Sequence, residues 1–183
     1  GFFDGPVDLL WAMPTLVEYV RGRIDVGSAV VVSPDAGRIK VAEQWGNRLG
    51  GVPLAFVHKT RDLTRPNQAT ANRVVGDVSG RTAVIVDDLI DTAGTICGAV
   101  RIVLEAGAKD VIVAATHGVL SDPATQRLRE SGLRELVVTD TLPIGPEKRF
   151  PAMTVLPIAP VLARAIDEVF EDGSVTSLFD GAY

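Results

Sequence analysis

The chain has 183 residues, 46% hydrophobic and 22% charged, with a net charge of −5, the composition of a globular domain able to bury a core. No apolar run approaches the ~20 residues of a membrane span, no basic start followed by an apolar core marks a signal peptide, and no Lys/Arg run supplies the basic face that nucleic acid requires. The single cysteine, Cys97, excludes an internal disulfide and suits a reducing cytoplasm, and with His58 and His117 far apart it builds no zinc site.

The chain opens on Gly1-Phe2-Phe3 in place of Met, which reads as a piece cut from something longer. Residues 8–23 read as a helix, with Pro14 tolerated because it can open a fresh turn. The β-branched run 29–33 ends in Ser-Pro and reads as a strand feeding a loop. A helix follows over 38–49, closed by Gly50-Gly51. Strands are expected over 54–57 and 82–86, then a helix over 94–106 stopped by Gly107. A strand over 111–115, a helix over 124–131 and a strand over 136–139 complete the alternation. Ile158, Val161, Leu162, Ala165, Ile166, Val169 and Phe170 mark one apolar face of a last helix at three- and four-residue spacing. Residues 59–71 and 140–152 read as long polar loops, which in a compact domain are more often functional or disordered than structural. Apolar strands alternating with amphipathic helices predict one α/β domain over 1–183. Its sheet is mostly parallel, flanked by helices, with ligand sites at the carboxyl ends of the strands.

The most informative stretch is VIVDDLIDTAGT, residues 84–95. A buried strand runs into Asp87, Asp88 and Asp91, then Thr92, Ala93, Gly94 and Thr95, where a helix begins. Backbone N–H groups at a helix start attract phosphate, and Gly94 lets the backbone come close. The Thr92 and Thr95 hydroxyls can bond the same phosphate. Asp87 and Asp88, at the strand tip, can hold sugar hydroxyls or a magnesium ion. An Asp-Asp pair after a strand is by itself an ordinary solvated turn, and Asp91 alone an ordinary helix cap. Three acids beside a phosphate-type loop make poor sense without a ligand or metal, because they repel one another.

This stretch resembles the phosphoribosyl pyrophosphate (PRPP) binding motif of the type I phosphoribosyltransferase fold. Six further segments resemble the ribose-phosphate pyrophosphokinases within it, in that family's order: GFFDGPVD (1–8), VSPDAG (32–37), HKTR (58–61), THGVLS (116–121), VVTDT (137–141) and SVTSLF (174–179). The resemblance implies transfer of a diphosphoryl group from ATP to the C1 hydroxyl of ribose 5-phosphate, giving PRPP and AMP, with Mg²⁺ as cofactor. It implies that Asp87 binds the ribose hydroxyls, that Asp88 shares the acidic pair, and that Asp91–Thr95 form the 5-phosphate loop. It makes Asp35 the magnesium-linked aspartate, although Ser-Pro-Asp after a strand is also a common turn. Lys59 and Arg61 become the Lys-x-Arg pair of the catalytic loop, with Arg61 also reaching the ribose phosphate; alone, two basic residues in a polar loop are usually a solvated surface. Asp8, Ser174 and Phe179 match positions that bind regulatory phosphate or nucleotide effectors at subunit contacts. His117 reads as a locally bonded residue at a strand end and Cys97 as a core thiol.

The resemblance covers roughly the second half of that family, so the ATP-binding half and a metal-ligand histidine upstream are expected to be missing. The isolated chain is then expected to bind ribose 5-phosphate or PRPP without making PRPP, in the cytoplasm and as part of a hexamer-type homo-oligomer. Two other readings stand beside it. A phosphoribosyltransferase that consumes PRPP would need a nucleobase hood, which is not recognisable, and a base-dependent PRPP cleavage assay separates it. A non-catalytic regulatory relative would not need Asp87, Asp91, Lys59 and Arg61, and activity after restoring the missing half separates that one.

Overall fold

The apolar run of the first strand, β1 (Ala29–Ser33), is buried along its whole length, and the sheet is built outward from it. The computed structural model describes residues 3–5, 7–60 and 71–179, with the backbone alone at 59–60, 71–72 and 179. Seven strands lie in the order β3-β2-β1-β4-β5-β6-β7. They are β2 (Leu54–Thr60), β3 (Ala71–Val75), β4 (Thr82–Ile90), β5 (Asp110–Gly118), β6 (Glu135–Thr139) and β7 (Met153–Leu156), together with β1. All neighbours pair in parallel except β2 and β3, which are antiparallel. The mostly parallel α/β architecture expected from the sequence is thus present.

Successive strand residues face opposite layers, and the packing follows that period. Val30, Val32, Ala83, Ile85, Val111 and Val113 join one core, beneath α3 (Gly94–Glu105) and α4 (Ala124–Glu130). Ala29, Val31, Val84, Val86, Ile112 and Ala114 join the other, beneath α1 (Met13–Arg21) and α2 (Ile39–Arg48). A smaller cluster forms where α5 (Ala159–Phe170) folds Val161 and Ala165 against Val175. Among the described residues no helix is long and apolar enough to cross a membrane.

Several boundaries differ from the sequence expectation. The helix expected over 8–23 is α1 and starts only at Met13, because Pro14 sits in its first turn and has no N–H to continue a helix upstream. The loop expected over 59–71 begins later, since β2 runs to Thr60, and its last residue opens β3, paired as Thr60↔Ala71. The loop over 140–152 holds a short 3-10 turn at Pro146–Lys148 and leads into β7. The strand expected to end at Val86 continues to Ile90, so Asp87 and Asp88 lie within β4 and keep its register with β5, Asp87↔Ala115 and Leu89↔His117.

The close of α2 makes one prediction. Gly46 accepts backbone bonds from Gly51 (2.9 Å) and Val52 (3.0 Å), so the chain folds back over it. A Cβ at Gly46 would lie 2.6 Å from the Val52 carbonyl oxygen. In an open helix Gly→Ala stabilises by about 1 kcal/mol. Here Gly46→Ala is expected to destabilise by about 1–3 kcal/mol, a fall in Tm of several degrees by calorimetry, and a rise would mean that the turn yields.

Candidate functional site

The strand order reverses between β1 and β4. At such a switch point the loops leaving two adjacent strands diverge to opposite layers and open a crevice at the carboxyl ends. A cavity of about 290 Å³ lies there, lined by Asp35 and Arg38 after β1 and by Asp87 to Ile96 at the end of β4 and the start of α3.

Asp35 shapes the near wall. Its carboxylate accepts the Gly37 N–H at 2.8 Å, and the Ser33 hydroxyl donates to its carbonyl at 2.6 Å, which turns the chain sharply after β1. That turn presents Arg38 to the acidic pair. Arg38 Nε lies 3.5 Å from Asp87 Oδ1, and Arg38 Nη2 donates to Asp88. Asp88 N–H in turn donates to Asp87 Oδ1 at 2.9 Å.

The two carboxyls are unequal. Asp87 has 14% of its side chain exposed and Asp88 51%. Burial, reinforced by the hydrogen bond and charge of Asp88, pushes Asp87 up to about 6, against the pull of the Asp88 N–H and Arg38. Partial burial also acts to raise Asp88, but its hydrogen bond to Asp87 and the Arg38 guanidinium outweigh that and hold it below the usual carboxylate range. The buried member of the pair is therefore the one that takes up a proton first as pH falls through about 6.

Opposite the acids, the loop from Asp91 to Thr95 leads into α3. Ala93 is buried and adopts a left-handed conformation, φ 60° and ψ 8°, uncommon for a residue with a Cβ. The first helical bond is Cys97 N–H to the Ala93 carbonyl at 2.9 Å. The N–H groups of Thr92, Ala93, Gly94 and Thr95 have no acceptor among the described residues. Free N–H groups at the start of a twelve-residue helix, where its dipole is positive, form an anion cradle. The cavity thus joins an acidic wall suited to hydroxyls with a donor wall suited to phosphate.

The Phosphoribosyl synthetase-associated domain model matches residues 57–180. The chain belongs to the phosphoribosyl synthetase-associated domain family. The sequence-level resemblance is borne out by relatives of this family. The ribose-phosphate pyrophosphokinase of Bifidobacterium longum is 68% identical over 182 residues, covering 98% of this chain and 54% of that protein. The crystal structure of phosphoribosylpyrophosphate synthetase from Mycobacterium smegmatis matches with a TM-score of 0.84 and 60% identity, over 94% of this chain and 55% of that one. The chain spans about half the length of the curated relatives it matches. Orotate phosphoribosyltransferase from Aeropyrum pernix, at 18% identity and a TM-score of 0.54 over 84% of this chain and 73% of that one, shares the fold alone.

Within this family member, Asp35, Asp87, Asp88, Asp91, Thr92, Ala93, Gly94 and Thr95 line one cavity. Arg61 lies outside the described residues, and Lys59 is described by its backbone, in β2 opposite Asn72. Asp8 lies elsewhere, in an apolar cavity beside Val175 and α5. Ser174, next to it, bonds Thr176 (Oγ to Oγ1, 2.7 Å) and donates its N–H to Glu168 (3.1 Å). Phe179 ends the 3-10 turn Val175–Phe179. His117 bonds locally as expected, Nδ1 to Thr141 Oγ1 at 2.9 Å. Cys97 is half-buried against the core, and burial raises its thiol. Arg38 escaped the sequence reading; a basic residue three places after Asp35 was its only signal.

Among the described residues no group of three or more His, Cys, Asp and Glu is placed to hold a metal ion. The cavity's donors are carboxylate and hydroxyl oxygens, the hard ligands that suit Mg²⁺. Because Mg²⁺ keeps waters and substrate oxygens in its shell, one or two carboxylates fit it where a full protein cage is missing.

The acidic pair carries a pH prediction. With its folded-state value raised from 3.8 to about 6, Asp87 binds more proton folded than unfolded between those values. Its contribution therefore falls as pH rises through that window. Asp87→Asn is expected to be more stable than the parent at pH 7–8 by about 1–2 kcal/mol after solvent screening. Thermal melts across pH 3–8 should show the gap closing below about pH 4; an equal gap throughout would detach it from this proton.

Proposed function

We propose that this chain is the ribose-5-phosphate-binding and catalytic-loop part of a ribose-phosphate pyrophosphokinase, which transfers the diphosphoryl group of ATP to the C1 hydroxyl of ribose 5-phosphate. The observation that carries the reading is the cavity at the β1–β4 switch, where a free-donor loop at a helix start faces an acidic pair. A phosphate and a vicinal diol a few ångströms apart describe ribose 5-phosphate. The names of the relatives, ribose-phosphate pyrophosphokinase and phosphoribosylpyrophosphate synthetase, support the same reaction.

In this reading the N–H groups of Thr92 to Thr95 and the two threonine hydroxyls take the 5-phosphate. Asp87 and Asp88, braced by Arg38, take the ribose hydroxyls, and Asp87 accepts a hydroxyl proton bond or donates one as its own proton state allows. The sugar is then held at both ends, which leaves the C1 oxygen oriented for attack on the β-phosphorus. The C1 hydroxyl oxygen bonds the β-phosphorus and gives up its proton to solvent, the bond from the β-phosphorus to the α,β-bridging oxygen breaks, and AMP departs with that oxygen. Such a transfer depends on alignment and charge neutralisation. Lys59 and Arg61 supply positive charge against the triphosphate. Asp35, on the β1 side, would hold Mg²⁺, which when bound would neutralise phosphate charge. The ATP contacts come from the portion of the relatives that the match does not reach. Nucleotide effectors acting through Asp8, Ser174 and Phe179, and a homo-oligomeric assembly, belong to the same proposal.

Calorimetric titration with ribose 5-phosphate and with PRPP, each with Mg²⁺, tests it. Saturable binding of both is expected. A folded chain that takes up neither would move the regulatory reading to first place.

A further inference from the structure

The phosphate loop has a second side, and one cation holds it. Arg127, on α4, donates from Nη1 to the Thr92 carbonyl at 3.0 Å. The two residues are 35 positions apart, and Arg127 does not line the cavity that holds Asp87 and Asp91. It lines a separate groove between α3 and α4, with Gly94, Cys97 and Arg101. Gly94 borders both spaces, so the loop is the wall between them. A Cβ at Gly94 would come 3.7 Å from Arg127 Nη1, which places the guanidinium against the back of that wall.

We propose that Arg127 is a positioning residue for the phosphate loop, acting from behind it; the inference rests on the ribose 5-phosphate reading of the cavity. The warrant is the geometry of one peptide unit. In a trans peptide the carbonyl and the following N–H point in opposite directions. Pinning the Thr92 carbonyl toward Arg127 therefore turns the Ala93 N–H away from α4 and into the acidic cavity. That orientation is not what Ala93 adopts unaided, since its left-handed φ of 60° is disfavoured for a residue with a Cβ. A guanidinium is a suitable clamp because it is always charged and a charged donor bonds a carbonyl more strongly than a neutral one. Its charge behind the loop also favours the anion in front.

The test compares Arg127→Met, which keeps the side chain's apolar stem, with Arg127→Lys, which restores a charged donor. Asp91→Ala reports on the cavity itself. Ribose 5-phosphate with Mg²⁺ is titrated into each variant of this chain, and KM values for ribose 5-phosphate and ATP are measured in the complete enzyme. Arg127→Met is expected to weaken ribose 5-phosphate binding about 10- to 100-fold and to raise its KM while leaving KM for ATP and Tm nearly unchanged. Arg127→Lys should recover most of the loss. Parental affinity in Arg127→Met, with binding still lost in Asp91→Ala, would overturn the inference and leave the site reading intact. Equal losses for both substrates with a lowered Tm, unrescued by lysine, would make Arg127 structural and overturn it too. If the parent chain takes up no ribose 5-phosphate, the site reading fails and this inference falls with it.

Discussion

Replacing Asp87 and Asp91 together by alanine is expected to abolish ribose 5-phosphate and PRPP binding while the fold survives. In the proposed reading the two residues act at opposite ends of one ligand. Asp87 is mostly buried at the end of β4 and held by Arg38 and Asp88, so its loss removes a hydroxyl partner that solvent does not replace cheaply. Asp91 opens the loop whose N–H groups stand free at the start of α3. Its exposed position at that turn suits a side chain that organises the loop. A site built to bond polar groups loses more than the bond itself when one partner is removed, because the remaining groups stay desolvated and unpaired. Two such losses of about 1.5–3 kcal/mol each, for bonds involving charged groups, correspond to roughly 10²–10⁴-fold in affinity. Calorimetry on a variant with native circular dichroism checks it. Retained micromolar binding would place the sugar phosphate elsewhere.

The second large effect concerns Lys59. In the complete enzyme Lys59→Ala is expected to lower kcat by about 10²–10³-fold, the scale of removing one donor that stabilises charge in a transition state. The backbone of Lys59 pairs with Asn72 near the end of β2. β2 is the parallel neighbour of β1, so its carboxyl end, where Lys59 stands, lies at the same rim of the sheet as the turn that follows β1. Its strand pairing is made by the backbone and survives the substitution, so Tm should hold while turnover falls. Steady-state AMP formation at saturating ATP measures the effect. Near-parental turnover would remove Lys59 from the reaction and return it to the ordinary fate of a surface lysine.

Much of this was legible in the sequence because burial and periodicity write themselves there. β1, α2 and α3 are continuous, apolar or amphipathic, and punctuated by glycine, and they stand close to where the pattern puts them. Illegible were the two edge strands. β3 reads Ala-Asn-Arg-Val-Val and β7 Met-Thr-Val-Leu. An edge strand is covered less completely, so its composition is not that of a buried run. β4 continues past Val86 because pairing with β5 satisfies the backbone of Asp87 and beyond, whatever their side chains prefer. The loop residues of the site were visible as a motif, whereas Arg38 and Arg127 were not. Each acts through a contact with a residue far along the chain, 50 positions away for Arg38 and Asp88 and 35 for Arg127 and Thr92. No local pattern encodes such a meeting.

The alternation of β4 has a last consequence. Ala83 and Ile85 face one layer and Val84 and Val86 the other, so the strand's aliphatics can be exchanged among themselves at a cost usually below about 1.5 kcal/mol. Insertion or deletion of one residue is another matter. A single-residue slip sends each side chain to the opposite face, trading the places of the shielded Asp87 and the open Asp88 and carrying the phosphate loop away from Arg127. The aliphatic letters of β4 are therefore open to exchange, while the number of residues between Thr82 and Asp91 is what keeps the acidic pair and the loop in place.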